Sequence, residues 1–488
     1  MSISRRSFLG ATAAALGSSA QLSAQSDRPN ILFCSSDDQS WLHAGAMGDP
    51  IGATPAFDRV ANSGVLFNQA YCDAPTCGPS RSAIVTGQHI WRLEEAGNIH
   101  STLPAKFATY TELLEDAGYR IGHTSKGWSP GRLEPGGRTR NPAGDPFDDF
   151  EAFHKDQSGD KPFCFWLGSR DPHRPYELGS GKKSGKDPKE VKVPPHFPDN
   201  DLVRNDILDY YVEIERFDSN VAKALDILEE AGELENTLVV VTSDHGMPFP
   251  RAKASLYDYG SRVPLAMAWP KKVPGGRKVY DFVNLSDMAP TFLEAAGRKP
   301  HEDMTANSLM PLLSSSSSGQ IEKSRDAAFI AMERHDGCRR GGKGYPCRAI
   351  RTEDYLYIRN FEPTRWPSGT PNRNPCARDI PSAEIASSPT KTFMMENRDD
   401  PVVDHLAELS FGTRPGHELY EVKKAPAQMR NIATDPAMAK TAKKLGDRLM
   451  KYLAATDDPR ATGKPAPWDY YPYYGRKINQ DWEVDPKS

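Results

Sequence analysis

Residues 30–38 read NILFCSSDD, an apolar run that ends at two adjacent carboxylates. The same order recurs at residues 163–173, FCFWLGSRDPH, and at residues 238–246, LVVVTSDHG. Continuous apolar runs of this length, bounded by turn-forming residues, are typical of strands that are buried on both faces. Ligands of such sheets bind beyond the carboxyl ends of the strands, so we expect the polar residues after the three runs to share one site.

Helical patterns separate these runs. Residues 209–232 carry apolar side chains at helical spacing and end at Ala231-Gly232, and shorter patterns cover residues 110–117 and 287–296. Strands that alternate with helices predict an α/β fold in which a large, mostly parallel central sheet lies between helices.

The pattern of predicted secondary structure changes after the serine run at residues 314–318. Short strand-like pieces follow at residues 327–332, 349–351, 355–358 and 418–422, and then a helical pattern at about 435–453. We interpret residues 27–320 as the larger domain, which carries the expected site, and residues 321–488 as a smaller α+β domain with a short antiparallel sheet. Residues 360–401 are rich in Pro and Arg and are expected to form a surface excursion.

Charge and hydropathy limit the classes of function. With 61 basic and 65 acidic residues the net charge is only -4, which argues against a protein that binds nucleic acid. No uncharged apolar run reaches the roughly 18–20 residues that a membrane span needs. Arg5-Arg6 precede an apolar run at 10–17 and then small residues. This order is typical of a signal handled by the export machinery, here of the twin-arginine class.

We therefore interpret residues 1–26 as an export signal that is not part of the fold, and we expect a periplasmic or extracellular protein. The alternative is a disordered basic tail. Export permits disulfides, and the chain has an odd number of cysteines, seven.

The segment Cys77-Gly78-Pro79-Ser80-Arg81 carries the strongest chemical signal. Pro79 favours the first turn of a helix over residues 79–86, which places Cys77 just before the amino end. Free N–H groups and partial positive charge at that end favour both a reactive cysteine-derived group and a bound anion. Arg81 can lie over the same turn and hold a sulfate or phosphate with two hydrogen bonds.

The acidic residues after the runs favour a cation site. Asp37 and Asp38 are adjacent, and adjacent carboxylates repel each other unless a positive charge neutralises them. Asp244 would add a carboxylate from a neighbouring strand end, and Ca²⁺ accepts several oxygen ligands with flexible geometry.

The Cys77–Arg81 pentapeptide and the downstream Thr86-Gly87 resemble the signature of type I sulfatases, in the alkaline phosphatase superfamily. The resemblance implies an alkaline phosphatase-like fold and oxidation of Cys77 to 3-oxoalanine (formylglycine) by a separate generating enzyme. The hydrated aldehyde would then attack sulfur. It also implies one Ca²⁺ whose ligands are Asp37, Asp38, Asp244, His245 and residue 77. A nitrogen ligand is unusual for Ca²⁺, so another divalent metal stays open.

The same resemblance assigns the residues that would contact sulfate. Lys126 follows the Gly118-Tyr119 helix end, and Lys253 matches the later basic residue, with Arg251 as the alternative. The chain also departs from the family, because Trp128 and Ser129 stand where a histidine is usual. Arg170 stands at a frequent general-acid position, where it could only neutralise the leaving oxygen electrostatically.

His173 is accordingly the candidate for the acid or for a substrate contact. Loops at residues 334–348 and 366–378 are rich in basic and aromatic residues and are expected to shape the substrate pocket.

Residues 220–253 resemble the sulfamidase (N-sulfoglucosamine sulfohydrolase) branch, and the strand-like piece at 418–422 resembles the usual ending of the family's C-terminal domain. We therefore expect an enzyme that hydrolyses sulfate esters or sulfamates of sulfated sugars or polysaccharides. Two alternatives remain: a formylglycine-dependent phosphonate or phosphodiester hydrolase on the same scaffold, and a non-catalytic glycan-binding relative.

Overall fold

A computed structural model describes residues 28–156, 161–371 and 381–475. The predicted export signal at residues 1–26 lies outside these ranges. Twelve strands occur in the described chain, at the following positions: β1 Asn30–Ser36, β2 Val65–Tyr71, β3 Arg120–Thr124, β4 Asp145–Phe147, β5 Phe163–Gly168, β6 Thr237–Ser243, β7 Leu265–Ala268, β8 Arg277–Asn284, β9 Ala327–Met332, β10 Cys347–Thr352, β11 Tyr355–Asn360 and β12 His417–Glu421.

Eight strands form the central sheet in the order β4-β3-β5-β1-β6-β7-β2-β8. All neighbours are parallel except β7, which runs antiparallel to both β6 and β2. The three apolar runs of the sequence are the adjacent strands β5, β1 and β6. Their register pairs Ser35 with Gly168 and Ser36 with Ser243, so the three carboxyl ends meet at one edge. The predicted mostly parallel sheet is confirmed.

Thirteen α-helices of the described chain pack around the sheets, with these bounds: α1 Pro55–Ser63, α2 Cys77–Thr86, α3 Tyr110–Asp116, α4 Phe150–Lys155, α5 Ser180–Lys183, α6 Asp201–Glu230, α7 Asp258–Ser261, α8 Met288–Ala295, α9 Met310–Ser314, α10 Pro389–Glu396, α11 Pro401–Phe411, α12 Ala439–Ala455 and α13 Pro459–Thr462. Helix α6 begins eight residues before its predicted start, because the Asn200 side chain caps it at the N–H of Val203.

Both faces of the central sheet are buried, as expected for strands in which polar and apolar residues do not alternate. Phe33 and Val240 face a core that includes Ile84 of α2 and Phe292 of α8. Leu32 and Val239 belong to the opposite core, which α1 and α6 cover. Helices therefore sandwich the sheet, and the polar residues that follow β1, β5 and β6 lie at the edge where these strands end.

Strands β9 to β12 form a separate antiparallel sheet in the order β12-β11-β10-β9, as predicted for the second part of the chain. Helix α12 packs on it through Leu445, Leu449 and Leu453. The exact domain limits, 27–320 and 321–488, stay a prediction. Among the described residues no helix is both long and apolar enough to cross a membrane.

The expectation of a surface excursion at residues 360–401 is wrong for much of the described part. Helix α10 lies in this segment and buries Met394 against Ile207 and Leu208 of α6. Thr390 hydrogen-bonds the buried carboxylate of Asp206 through its hydroxyl, at 2.6 Å. The Pro and Arg content of residues 360–401 gave no sign of this helix, which packs against α6. The six cysteines described, Cys77 among them, are free thiols.

Candidate active site

The ends of β1 and β6 and the start of α2 bring four potential metal ligands together. Asp37 follows β1, Asp244 and His245 follow β6, and Cys77 is the first residue of α2. One ligand atom from each of these residues lies within 4.8 Å of the others, and all four side chains are buried. Helix α2 begins at Cys77 itself, with Thr76 as its N-cap, and not two residues later as predicted.

Cys77 lies where acidic and basic groups meet. Its Sγ is 3.4 Å from Asp37 Oδ1, 3.2 Å from His245 Nε2 and 3.3 Å from Lys126 Nζ. The sulfur marks the position that the oxygens of a hydrated aldehyde would take after oxidation. A nucleophile at this position is next to two groups that could share a cation and to one fixed positive charge.

Asp38 joins the cluster from one side. Its backbone has φ 78°, and its N–H donates to Asp244 Oδ1 at 3.2 Å. Both of its carboxylate oxygens are 2.8 Å from Lys253 Nζ, and Oδ1 is 3.1 Å from His245 Nε2. The predicted ligand Asp38 is therefore close to the centre, although the group within 4.8 Å consists of the other four residues.

His245 is oriented as a ligand by its own backbone neighbour. Its Nδ1 lies 3.1 Å from the carbonyl oxygen of Gly246, so an Nδ1–H donates there and Nε2 faces the cluster. Burial disfavours a charged imidazole, but the Asp244 and Asp38 carboxylates outweigh it and raise the pKa of His245 to about 9. The centre thus attracts positive charge, as a cation site should.

Asp37 and Asp38 are ionised. Burial by itself would raise the pKa of each carboxyl group. The positive charges around them prevail: Lys126 holds the pKa of Asp37 well below its usual range, and Lys253 lowers that of Asp38. Ionised carboxylates and one imidazole nitrogen form a donor set that fits a divalent cation, with oxygen ligands in the majority.

Arg81 is wholly buried and serves the acids and the neighbouring loop. Its Nε donates to Asp244 Oδ2 at 2.9 Å. Its Nη1 donates to the carbonyl oxygens of Lys126 and, at 2.8 Å, Gly127. Its Nη2 is 3.8 Å from Asp37 Oδ1 and has no hydrogen-bond partner among the described residues. Of the guanidinium nitrogens that were expected to bind an anion, Nη2 is therefore the one still available. The guanidinium mainly orients Asp244 and the Lys126 loop.

The two predicted sulfate contacts, Lys126 and Lys253, are both brought to the cluster. Lys126 pairs with Asp37 and Lys253 with Asp38. Burial by itself would lower the pKa of both ammonium groups, but the nearby carboxylates outweigh it and raise the pKa, so each group stays charged. Arg251, the alternative to Lys253, points away: its guanidinium donates to the carbonyl oxygens of Leu409 and Gln428 at 2.6 Å each.

His173 and Arg170 occupy different environments. The Lys253 charge and burial lower the pKa of His173, which favours the neutral ring, and Nδ1 lies 2.6 Å from the carbonyl oxygen of Arg174. That contact leaves Nε2 to exchange a proton. Arg170 is exposed and lines a surface groove with Lys223 and Asp226. Its role at a leaving oxygen stays a prediction.

Sequence reasoning did not identify three further neighbours of the site. The Ser80 hydroxyl donates to the carbonyl oxygen of Asp244 at 2.6 Å, and the Tyr210 hydroxyl donates to that of Asp38 at 3.0 Å. His335 Nδ1 lies 2.7 Å from Thr76 Oγ1, directly before Cys77. The basic and aromatic composition of the 334–348 loop was the signal for His335, and no predicted pattern pointed to Tyr210.

Comparison with known proteins gives two family matches. The model described as sulfatase matches residues 29–134 and 140–298. The model described as N-sulphoglucosamine sulphohydrolase, C-terminal, matches residues 248–367.

Two curated relatives and one solved structure illustrate the similarity. An ulvan-active sulfatase of Formosa agariphila is 26% identical over 89% of this chain and 82% of its own. Human N-sulphoglucosamine sulphohydrolase is 25% identical over 88% of this chain and 91% of its own. A solved structure of a protein with its substrate D-glucosamine-2-N,6-O-disulfate superposes with a TM-score of 0.66 at 19% identity, covering 90% of this chain and all of that one.

Proposed function

Because the chain belongs to the sulfatase family, we propose that it hydrolyses sulfate esters or sulfamates of sulfated sugars through a nucleophile made from Cys77. The resemblance to the sulfamidase branch is confirmed by the second match, at residues 248–367. The observation that carries the proposal is the position of Cys77: it starts a buried helix and lies among the ligand atoms of Asp37, Asp244 and His245.

The chemistry depends on two groups that the chain would acquire. Oxidation of Cys77 by a formylglycine-generating enzyme would supply an aldehyde. One hydroxyl of its hydrate would attack sulfur and displace the sugar hydroxyl or amine, and the second hydroxyl would then expel sulfate and restore the aldehyde. A divalent cation, for which we propose one Ca²⁺, would be held by Asp37, Asp38, Asp244, His245 and residue 77, where it would polarise the sulfuryl oxygens. The ionised carboxylates and the inward-facing Nε2 of His245 fit that cation.

The residues of the chain itself would orient and stabilise the reacting group. Lys126 lies 3.3 Å from the reactive position, so its ammonium group favours the ionised form of an attacking oxygen. Lys253, fixed by both oxygens of Asp38, presents a second charge where the sulfuryl oxygens gain negative charge. His173, neutral and with Nε2 available, would exchange the proton between the nucleophile or leaving group and solvent.

Sulfated carbohydrate is the substrate class that the relatives favour. One relative is named for its action on ulvan and another for N-sulphoglucosamine, and the solved neighbour holds a disulfated glucosamine. We propose the same class here, for an exported enzyme that acts in the periplasm or outside the cell. The targeting part of this proposal depends on residues 1–26.

The test begins with the intact mass of the protein produced together with a formylglycine-generating enzyme. Conversion of the Cys77 thiol to the aldehyde lowers the mass by about 18 Da. The converted protein is then given sulfated oligosaccharides, an aryl sulfate and an aryl phosphodiester, and released sulfate and phenol are measured. We expect release of sulfate from a sulfated sugar, and faster turnover of the sulfate ester than of the phosphodiester.

Two variants make the experiment specific. Cys77→Ala should lose turnover while the fold is kept. Cys72→Ala is the matched control, because Cys72 is equally buried and lies five residues earlier, and this variant should remain active. Faster turnover of the phosphodiester would instead favour the phosphonate or phosphodiester hydrolase. An unconverted Cys77 in native material, with glycan binding and no turnover, would favour the glycan-binding alternative.

A further inference from the structure

The helix that begins with Cys77 has a threonine at its N-cap that does not cap it. Thr76 has the extended backbone typical of an N-cap, with φ -160° and ψ 140°, but its side chain makes no capping hydrogen bond. An N-cap threonine ordinarily accepts a hydrogen bond from the N–H of the second or third helical residue. Here the third residue is Pro79, which has no N–H, so Gly78 is the only donor that the Thr76 hydroxyl could cap.

His335 holds the Thr76 hydroxyl elsewhere. The distance from Thr76 Oγ1 to His335 Nδ1 is 2.7 Å, and both side chains are buried. The contact joins the two parts of the chain, because His335 belongs to the loop between β9 and β10 of the second sheet, whereas Thr76 precedes the helix of the first.

The loop that carries His335 is anchored at the two residues that precede the histidine. Glu333 accepts hydrogen bonds from Arg348 and Arg460, each at 2.7 Å. The carbonyl oxygen of Arg334 accepts from the N–H of Ile99 at 3.1 Å. His335 is thus held by a fixed frame, and it can impose a rotamer on Thr76 rather than follow it.

The consequence concerns the first N–H groups of helix α2. The N–H groups of Cys77 and Gly78 have no partner within the helix, and they point out of its amino end. The nucleophile of the proposed reaction starts at this end, so these donors would be available to a sulfuryl oxygen of a bound substrate. A capped Gly78 would lose its donor to the neighbouring hydroxyl.

We propose that His335 is a positioning residue for the proposed sulfatase reaction, on which this inference rests. It keeps the Thr76 hydroxyl away from Gly78 and leaves the Gly78 N–H to stabilise charge on the sulfuryl group. The second sheet thereby takes part in the reaction without its histidine touching the substrate.

The test is a rescue experiment on converted protein of equal formylglycine content, checked by mass. In His335→Ala the Thr76 hydroxyl is released and can cap Gly78, so kcat should fall about tenfold to a hundredfold while KM changes little. Thr76→Val has no hydroxyl, so it should stay within about threefold of the wild type. The double variant should recover to the level of Thr76→Val, because nothing is left to cap Gly78.

Other outcomes would overturn the inference. A double variant no more active than His335→Ala would show that the histidine acts on the substrate or only on stability. A Thr76→Val variant as impaired as His335→Ala would show that the hydroxyl itself is needed. His335→Asn, whose amide can still bond the threonine, is the conservative variant, and it should keep most of the wild-type kcat.

A structural readout does not depend on turnover. In a crystal structure of His335→Ala, Thr76 Oγ1 should lie within hydrogen-bonding distance of the Gly78 nitrogen. An unchanged Thr76 rotamer would refute the inference even if the wild type hydrolyses sulfated sugars. A wild type that releases no sulfate would instead refute the proposed function, and the rotamer would still decide the role of His335.

Discussion

A buried ion pair next to the active site offers a stability test with a defined magnitude. Asp206 of α6 accepts hydrogen bonds from Nη1 and Nη2 of Arg174 at 2.7 and 2.9 Å, and both side chains are buried. The Thr390 hydroxyl donates to the same carboxylate at 2.6 Å. Arg174 directly follows His173, so this pair fixes the loop that carries the proposed proton-transfer residue.

Asp206→Asn keeps the shape of the side chain but removes its charge. The Arg174 guanidinium then stays buried without a counter-ion, and the loss of one partner of such a pair costs about 3–5 kcal/mol. Asp199→Asn is the matched control, because Asp199 and Arg204 form a pair of similar geometry, at 2.6 and 2.8 Å, close to the start of the same helix. Asp199 is exposed, so its loss should cost less than about 1 kcal/mol.

The assay is equilibrium unfolding in urea, followed by tryptophan fluorescence. We expect a clearly lower midpoint for Asp206→Asn than for Asp199→Asn, together with a lower kcat/KM, because the His173 loop loses its anchor. A free energy of unfolding that falls by no more than in Asp199→Asn would refute the reasoning. It would mean that water reaches Arg174 or that another acceptor replaces the carboxylate.

Two further predictions concern the charges of the site. In Lys253→Met the positive charge that lowers the pKa of His173 is gone, so the pKa of His173 should rise and the acidic limb of the kcat/KM profile should move to higher pH. Lys106→Met, at an exposed lysine, is the control. An unmoved acidic limb would exclude His173 as the titrating group. Kcat/KM itself should fall about a hundredfold. Exhaustive chelation should abolish turnover and added Ca²⁺ should restore it, whereas full activity after chelation would contradict the metal site.

The sequence was sufficient to predict where the site lies. Each of the three buried strands is followed by polar residues, which therefore lie beyond its carboxyl end, and β5, β1 and β6 are adjacent in the sheet. That adjacency brings Asp37 next to Asp244 and His245. The motif at Cys77 supplied the remaining member, because Pro79 placed it at the amino end of a helix, although that helix begins at Cys77 and not at Pro79.

The direction of the basic side chains could not be predicted in the same way. Arg81 was predicted to bind an anion, but the carbonyl oxygens of Lys126 and Gly127 accept from one of its nitrogens and Asp244 accepts from another. Those acceptors come from separate loops whose conformation no local pattern determines. The contact of His335 with Thr76 is equally non-local, since it depends on how the second sheet packs against the first.

The charges of the site explain why these basic side chains are held so firmly. Asp37, Asp38 and Asp244 are matched by Lys126, Lys253 and Arg81, each at hydrogen-bonding distance from one of the acids. The charge of the proposed divalent cation would therefore be left for the substrate and the reacting group to balance. In the proposed reaction a sulfate ester enters with a single negative charge, and the sulfate that leaves carries two. The site thus becomes better balanced as charge develops, which is the direction in which electrostatic stabilisation lowers a barrier.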